Sequence, residues 1–164
     1  YCNEMWNQLD GLTGLLSQKS YINKTINHCS EDMLIVMDLD DFKYINDTYG
    51  HLEGDKCLRV IAKCLKTAYS DYGNCYRIGG DEFCVLLKDK ECEISCKDKF
   101  YRILEKQRTR NSLLPEVSYG SALISGEKSI LDAKARADQN MYEDKKAHKM
   151  KKALSGNPVF VKQR

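Results

Sequence analysis

The sequence predicts an α/β (α+β) fold in which one mixed central β-sheet, containing an antiparallel hairpin, is flanked by helices. Three observations carry this. The run "MLIVMD", residues 33 to 38, is continuously apolar and stops abruptly at Asp38, the pattern of a strand covered on both faces. The stretch "YRIGGDEFCVLL", residues 76 to 87, sets Gly79, Gly80, Asp81 and Glu82 between two strand-like segments, as a hairpin would. Apolar residues spaced by three and four recur in several longer segments, as amphipathic helices require.

Taken in order, "LLSQKSYINKTINHCSED" carries Leu15, Leu16, Ile22 and Ile26 at roughly helical spacing and predicts a first helix. The "MLIVMD" strand follows. "DDFKYINDTYGH" reads as a short helix closed by Gly50, and from Glu53 to about Tyr69 Leu58, Ile61, Ala62, Leu65 and Ala68 predict a long one. "NCYRIG" and "EFCVLL" form the hairpin. A helix is expected from about Glu93 to Arg108 with Phe100, Ile103 and Leu104 inward, and "EVSYGSALIS" alternates as a strand. Ile130, Leu131, Ala137, Met141 and Tyr142 mark the last helix. Residues 1–9 read as the end of an incoming helix and 10–164 as the domain, with the last ten or so residues a short strand or tail.

Composition narrows the function. A chain of 164 residues can bury a core that needs no staples. Its 8 cysteines include no Cys-x-x-Cys pair, and Cys57 and Cys64 share a helix face while Cys84 lies in a strand, which predicts reduced, buried thiols. No signal-like segment and no run long enough to span a membrane is present, so the expected location is cytoplasmic, either alone or as the cytosolic part of a larger membrane-anchored protein. A net charge of +2, without interleaved basic and aromatic residues, argues against nucleic acid as a partner, and no direct membrane contact is expected. The basic cluster Lys134, Arg136, Lys145, Lys146, Lys149, Lys151 and Lys152 has two readings, a solvated helix face or a set of phosphate contacts.

The acids are where chemistry is expected. Asp38 ends a buried strand, and open α/β sheets hold their ligands beyond such ends. If that strand runs beside the hairpin, Asp38, Asp81 and Glu82 converge, and three like charges stay ionised together only around a cation. Magnesium suits hard oxygen donors and leaves room for phosphate, with manganese the alternative. Gly79 and Gly80 lack a Cβ and let a phosphate or sugar approach the backbone. Asn46, His51 and Asp55 surround the Gly50 turn, and an aspartate can accept from the N1–H and exocyclic amine of guanine. Taken singly, Asn46 reads as a cap and Asp55 as an ordinary helix-start acid.

Four blocks resemble the GGDEF domain family, the diguanylate cyclases. "RIGGDEF" is similar to the family signature, "DGLTGL" (10–15) to its N-terminal motif, "DLDDFKYINDTYGHLEGD" (38–55) to its metal and guanine segment, and "ADQNMYEDKKAHK" (137–149) to its C-terminal helix motif. The resemblance implies a nucleotidyl-cyclase or palm-like fold and condensation of two GTP molecules into cyclic di-GMP and two pyrophosphates. By matched position it implies that Asp38, the Leu39 carbonyl and Asp81 bind metal, with Glu82 completing the site. Asp81 or Glu82 would help deprotonate the ribose 3′-hydroxyl. Asn46 and Asp55 match guanine contacts, and Phe42 and His51 lie in the same substrate segment. Lys43, Lys145 and Lys149 match groups facing phosphate, and Arg77 a basic residue grouped with the catalytic set. One chain would hold one GTP, so a transient or regulated homodimer is implied, controlled by an upstream sensory region. The alternative is a GTP-binding sensory module with weak or no catalysis.

This chain departs from the family pattern at several places. "LLSQ" replaces the usual Asn-Arg ending of the first motif, Asp41 stands at an often aromatic position, and His148-Lys149 stands where Gly-Arg is usual. The Arg-x-x-Asp of the product-inhibition site is replaced by Ser70 and Gly73, so no inhibition through that site is expected.

Overall fold

The computed structural model describes residues 8–27 and 29–156. Both the incoming segment up to residue 7 and the tail from residue 157 lie outside the described residues. Helix α1 spans Gln18–Asn27, strand β1 Met33–Leu39, α2 Phe42–Tyr49 and α3 His51–Tyr69. The hairpin strands are β2, Gly73–Arg77, and β3, Glu82–Leu87; a 3₁₀ turn at Lys90–Cys92 leads into α4, Glu93–Arg108. Strand β4, Val117–Leu123, and the long helix α5, Ile130–Leu154, complete the order.

The strands form one sheet in the order β2-β3-β1-β4. All three ladders are antiparallel, and the parallel component of the expected mixed sheet is confined to the isolated bridge between Leu16 and Tyr76. The central strand β1 is buried on both faces, as its unbroken apolar run requires. Met33, Ile35, Met37 and Leu39 meet Phe83, Val85 and the apolar stripes of α3 and α4 on one side. Leu34 and Val36, with Tyr76, Cys84 and Leu86, meet Ala133 and Ala137 of α5 on the other. Pleat alternation therefore turns Asp38, two residues past Val36, toward α5.

Two helices leave outside the core some of the apolar residues that mark them in the sequence, although Ala137 of α5 is buried and Ile130 and Met141 pack against the core as expected. In α1, Ile22 is 43% and Ile26 75% exposed, while Tyr21 packs edge-on against Tyr76 with ring centroids 5.6 Å apart. Leu15 and Leu16 precede the helix: Leu15 enters the core and Leu16 bridges the sheet edge. In α5, Leu131 is 78% and Tyr142 55% exposed, and the buried contacts are the small residues Ala133 and Ala137. The reason is close approach. A Cβ on Gly120 of β4 would collide with the Ala137 carbonyl oxygen and the Met141 amide, so α5 lies almost against the β4 backbone.

The thiols behave as packing groups. Cys57, Cys64, Cys75, Cys84 and Cys96 are buried and unbridged, and burial pushes the Cys75 thiol up to about 12.

The Gly120 contact carries a prediction. Gly120→Ala must shift α5 outward, and a loss of roughly 1–3 kcal/mol is expected in urea unfolding. An unchanged unfolding midpoint would show that α5 does not depend on this contact.

Candidate active site

The register of the central ladder builds the site. Asp38 of β1 is the cross-strand partner of Glu82 at the start of β3, and the Leu39 N–H donates to the Asp81 carbonyl at 3.1 Å. The hairpin tip is thereby fixed against the end of β1. Arg77 braces it from behind: its guanidinium donates to the Gly80 carbonyl at 2.8 Å and to both Asp10 carboxylate oxygens at 3.2 Å. Asp10 is in turn held by the backbone and hydroxyl of Thr13. Burial opposes the Asp10 charge, but the Thr13 hydrogen bonds and Arg77 outweigh it and lower its carboxyl below the usual range. Arg77, placed by resemblance among the catalytic residues, is here engaged with the Gly80 carbonyl and Asp10 and braces the turn.

Asp38 is the strained member of the set. Burial and the Asp81 charge push its carboxyl up to about 6, against the pull of Lys145, whose ammonium donates to Oδ2 at 2.8 Å. Its other oxygen, Oδ1, is buried and accepts no hydrogen bond. Such an atom in a low-dielectric setting is costly unless a donor or cation reaches it.

Sequence reasoning brought three carboxylates together; the structure brings two. Asp81 faces Asp38, whereas the Glu82 carboxylate turns to Lys134 at 3.0 Å, and Lys134 also holds both oxygens of Asp138 at 2.8 and 2.7 Å. Among the described residues no three His, Cys, Asp or Glu side chains stand where they could jointly hold a metal ion.

Helix α5 answers each acid at the end of β1 with a base. Lys145 takes Asp38, His148 takes Asp40 at 2.7 Å through Nδ1, and Lys152 takes Asp41 at 3.4 Å. Residues 145, 148 and 152 follow helical spacing, so they share one face. Asp40 is almost fully buried and also accepts from the buried Ser118 hydroxyl at 2.6 Å, while His148 Nε2 lies 3.7 Å from Asp144. Asp41 adopts φ 55, the left-handed region, as it turns the chain into α2. Sequence reasoning missed this arrangement; the Asp-x-Asp-Asp run opposite bases at 145, 148 and 152 was the available signal. Of the other basic residues, Arg136 pairs with Glu127 and Lys146 with Glu143.

A cavity of about 260 Å³ opens between the β1 end and α5, lined by Asp38, Asp41, Tyr142, Lys145 and Lys149 among others. An open depression of about 500 Å³ lies beside Arg77, Gly79 and Gly80 on the Asp10 side of the hairpin. Gly79 and Gly80 are exposed, and nothing lies within 4 Å of where a Gly80 Cβ would be.

The base-side candidates sit on the adjoining α2–α3 unit and not in the cavity lining. Lys43 and His51 are exposed, and Phe42 is half-buried against the core. The Asn46 amide lies directly over Gly54, where a Cβ would collide with its Oδ1. This brings Asn46 beside the turn that carries Asp55. Gly54 leaves the space in which the Asn46 amide lies, a feature that sequence reasoning passed over.

The fold and this site define an α/β domain with an acid-and-lysine cavity at the end of its central strand, and comparison with known proteins gives its family. The family model described as "Diguanylate cyclase, GGDEF domain" matches residues 7–151. The chain belongs to the GGDEF domain family. It is 31% identical over 148 residues to the diguanylate cyclase DgcZ of Escherichia coli, covering 84% of this chain and 50% of that protein. It is also 31% identical to the diguanylate cyclase VdcA of Vibrio cholerae, covering 83% and 43%. The chain thus spans half or less of these curated relatives. Among solved structures, the GGDEF domain of DgcB from Caulobacter crescentus, in complex with c-di-GMP, matches with a TM-score of 0.71 at 25% identity, covering 85% of this chain and 91% of that one. No helix among the described residues is long and apolar enough to cross a membrane.

The Asp40–His148 contact carries a pH prediction. The hydrogen bond from His148 to Asp40 raises the imidazole above its ordinary 6.5, burial opposes it, and the Asp144, Asp40 and Glu116 charges add to it. Protonated His148 therefore stabilises the fold below the unfolded value, and this contribution fades as pH rises through the folded one. His148→Gln is expected to cost roughly 1.5–3 kcal/mol at about pH 6 and clearly less at about pH 9, by chemical denaturation. An equal loss at both pH values would contradict this contact.

Proposed function

We propose that this domain condenses two GTP molecules into cyclic di-GMP and two pyrophosphates, in a homodimer that sets two sites face to face. The observation that carries the reading is the buried, unpartnered Oδ1 of Asp38, a residue beside Asp81 that lines a cavity together with Lys145 and Lys149. A carboxylate oxygen left bare inside a protein fits a hard cation as ligand. Asp38, the Leu39 carbonyl and Asp81 would hold magnesium, or manganese in its place, with Glu82 joining once it leaves Lys134. Bound there, the ion would supply Lewis-acid stabilisation of charge on the phosphates.

The chain's own groups do the rest. Lys145 and Lys149 reach the triphosphate as donors from α5, and Lys43 adds a third from α2. Burial works against the Lys145 charge, but its hydrogen bond and attraction to Asp38, with Asp40 and Asp81 behind, hold it above the ordinary lysine value. It therefore stays an ammonium, able to pass from Asp38 to a phosphate oxygen. Asn46 and Asp55 read the guanine edge, with Phe42 and His51 flanking and Gly54 leaving space for the Asn46 amide. Gly79 and Gly80 leave the hairpin backbone open to sugar and phosphate. Asp81 or Glu82 accepts the proton of the attacking 3′-hydroxyl.

One site presents one nucleotide, so the 3′-hydroxyl of each GTP must meet the α-phosphate held by a second copy. Activity is expected to follow dimerisation, under the control of a sensory region elsewhere in the protein. Ser70 and Gly73 at the Arg-x-x-Asp positions imply that product does not inhibit through that site.

The test is incubation of the protein with GTP and magnesium at increasing protein concentration. Cyclic di-GMP and pyrophosphate are expected; GTP binding without product at every concentration would leave the sensory-module reading. Asp81→Ala combined with Glu82→Ala should lower turnover on the order of 10²-fold or more. Asp55→Ala should erode selectivity for GTP over ATP, and full retention of guanine preference would remove Asp55 from base recognition.

A further inference from the structure

Asp38 and Glu82 are cross-strand partners, so their Cα atoms are roughly 5 Å apart and their side chains leave the sheet on the same face. Their carboxylates nevertheless part company. Each is drawn to a different lysine of α5, Asp38 to Lys145 at 2.8 Å and Glu82 to Lys134 at 3.0 Å. These lysines stand about three turns apart on the helix, roughly 16 Å along its axis and on nearly the same face. The helix therefore pulls two adjacent acids in opposite directions. This is why no three-carboxylate cluster closes around Asp38.

Lys134 does not depend on Glu82. Its ammonium has three acceptor contacts, one to Glu82 and two to Asp138 one turn further along the same helix. Burial disfavours the Lys134 charge, but the Asp138 and Glu82 hydrogen bonds outweigh it. Leaving Glu82 would keep two of the three contacts. Neither acid is deeply buried, with Glu82 31% and Asp138 41% exposed, so either can exchange partners through solvent.

We propose that Lys134 is a positioning residue that withholds Glu82 from the acidic centre and releases it by passing wholly to Asp138. The ammonium stands in for a cation at Glu82 while Asp38 and Asp81 wait for theirs. With a divalent ion held by Asp38 and Asp81, Glu82 would be free to leave Lys134 for the acidic centre, and Asp138 would keep the lysine. Lys134 and Asp138 together set how readily the third carboxylate is recruited. The inference rests on the proposed metal-binding role of Asp38 and Asp81.

The test uses Mn²⁺ alone, with free ion followed by electron paramagnetic resonance in nucleotide-free protein, and circular dichroism as the check of folding. Asp38→Asn first establishes the centre: it should sharply weaken Mn²⁺ binding. Lys134→Met should tighten binding and Asp138→Asn should weaken it, each roughly three- to fivefold, the scale of one half-exposed ion pair. Lys134→Arg, which keeps the charge, should stay near the unsubstituted protein. A merely structural pair would lower affinity in both variants. If Asp38→Asn weakens binding but Lys134→Met and Asp138→Asn shift it in the same direction, or not at all, the Lys134 proposal is overturned while the centre stands. If Asp38→Asn leaves Mn²⁺ binding unchanged, the centre is misplaced and the proposal falls with it.

Discussion

The structure depends on a charge constraint at one point: a strand buried on both faces carries Asp38 at its end and is followed at once by Asp40 and Asp41. Burying such acids is costly, and removing the partner of a buried charge typically destabilises by about 3–5 kcal/mol. Helix α5 meets the need with Lys145, His148 and Lys152 on successive turns. The helix itself is held in register by the edge strand, where Asp144 accepts from the Tyr119 N–H at 2.8 Å and Asn140 donates to the Ser121 carbonyl at 2.9 Å. The absence of a side chain at Gly120 lets the two elements come close enough for this. Packing at β4 thus decides whether the bases reach the acids at the end of β1.

The same constraint prepares the site. Every acid in the run is matched except one oxygen of Asp38, and the Asp81 charge added by the hairpin acts on the same carboxyl. The hairpin is not free to drift, because Arg77 ties its tip to Asp10 and the Leu39 amide ties it to β1. A rigid scaffold with one unmet electrostatic need is the arrangement that the proposed ion site would use.

Much of this was legible in the sequence. The apolar run of β1, the Gly-Gly hairpin and the spacing of α3 each reflect a single local period, and those elements stand where the pattern puts them. The face of α1 was not legible, and that of α5 only in part, through Ala137, Ile130 and Met141. Ile22, Ile26, Leu131 and Tyr142 are apolar and helically spaced, yet tertiary contact is decided by Tyr21 meeting Tyr76 and by Ala133 and Ala137 fitting against the sheet. At the site, the residue types were readable from the signature, but their partners were not. Nothing local says that Glu82 is bound by Lys134, that Arg77 reaches back to Asp10, or that His148 closes on Asp40, since each pair joins segments far apart in the chain. Gly54 likewise reads as a helix residue until Asn46 is seen above it.

The central claim is that Asp38 and Asp81 form a cation centre beside a nucleotide cavity. Its most direct test is a crystal structure with Mn²⁺ and a non-hydrolysable GTP analogue, using anomalous scattering to locate the metal. A manganese peak bounded by the Asp38 and Asp81 carboxylates and the Leu39 carbonyl is expected, with Lys145 moved onto phosphate and the guanine against Asn46 and Asp55. A peak elsewhere, with Lys145 still paired to Asp38 and the analogue outside the cavity, would contradict the claim.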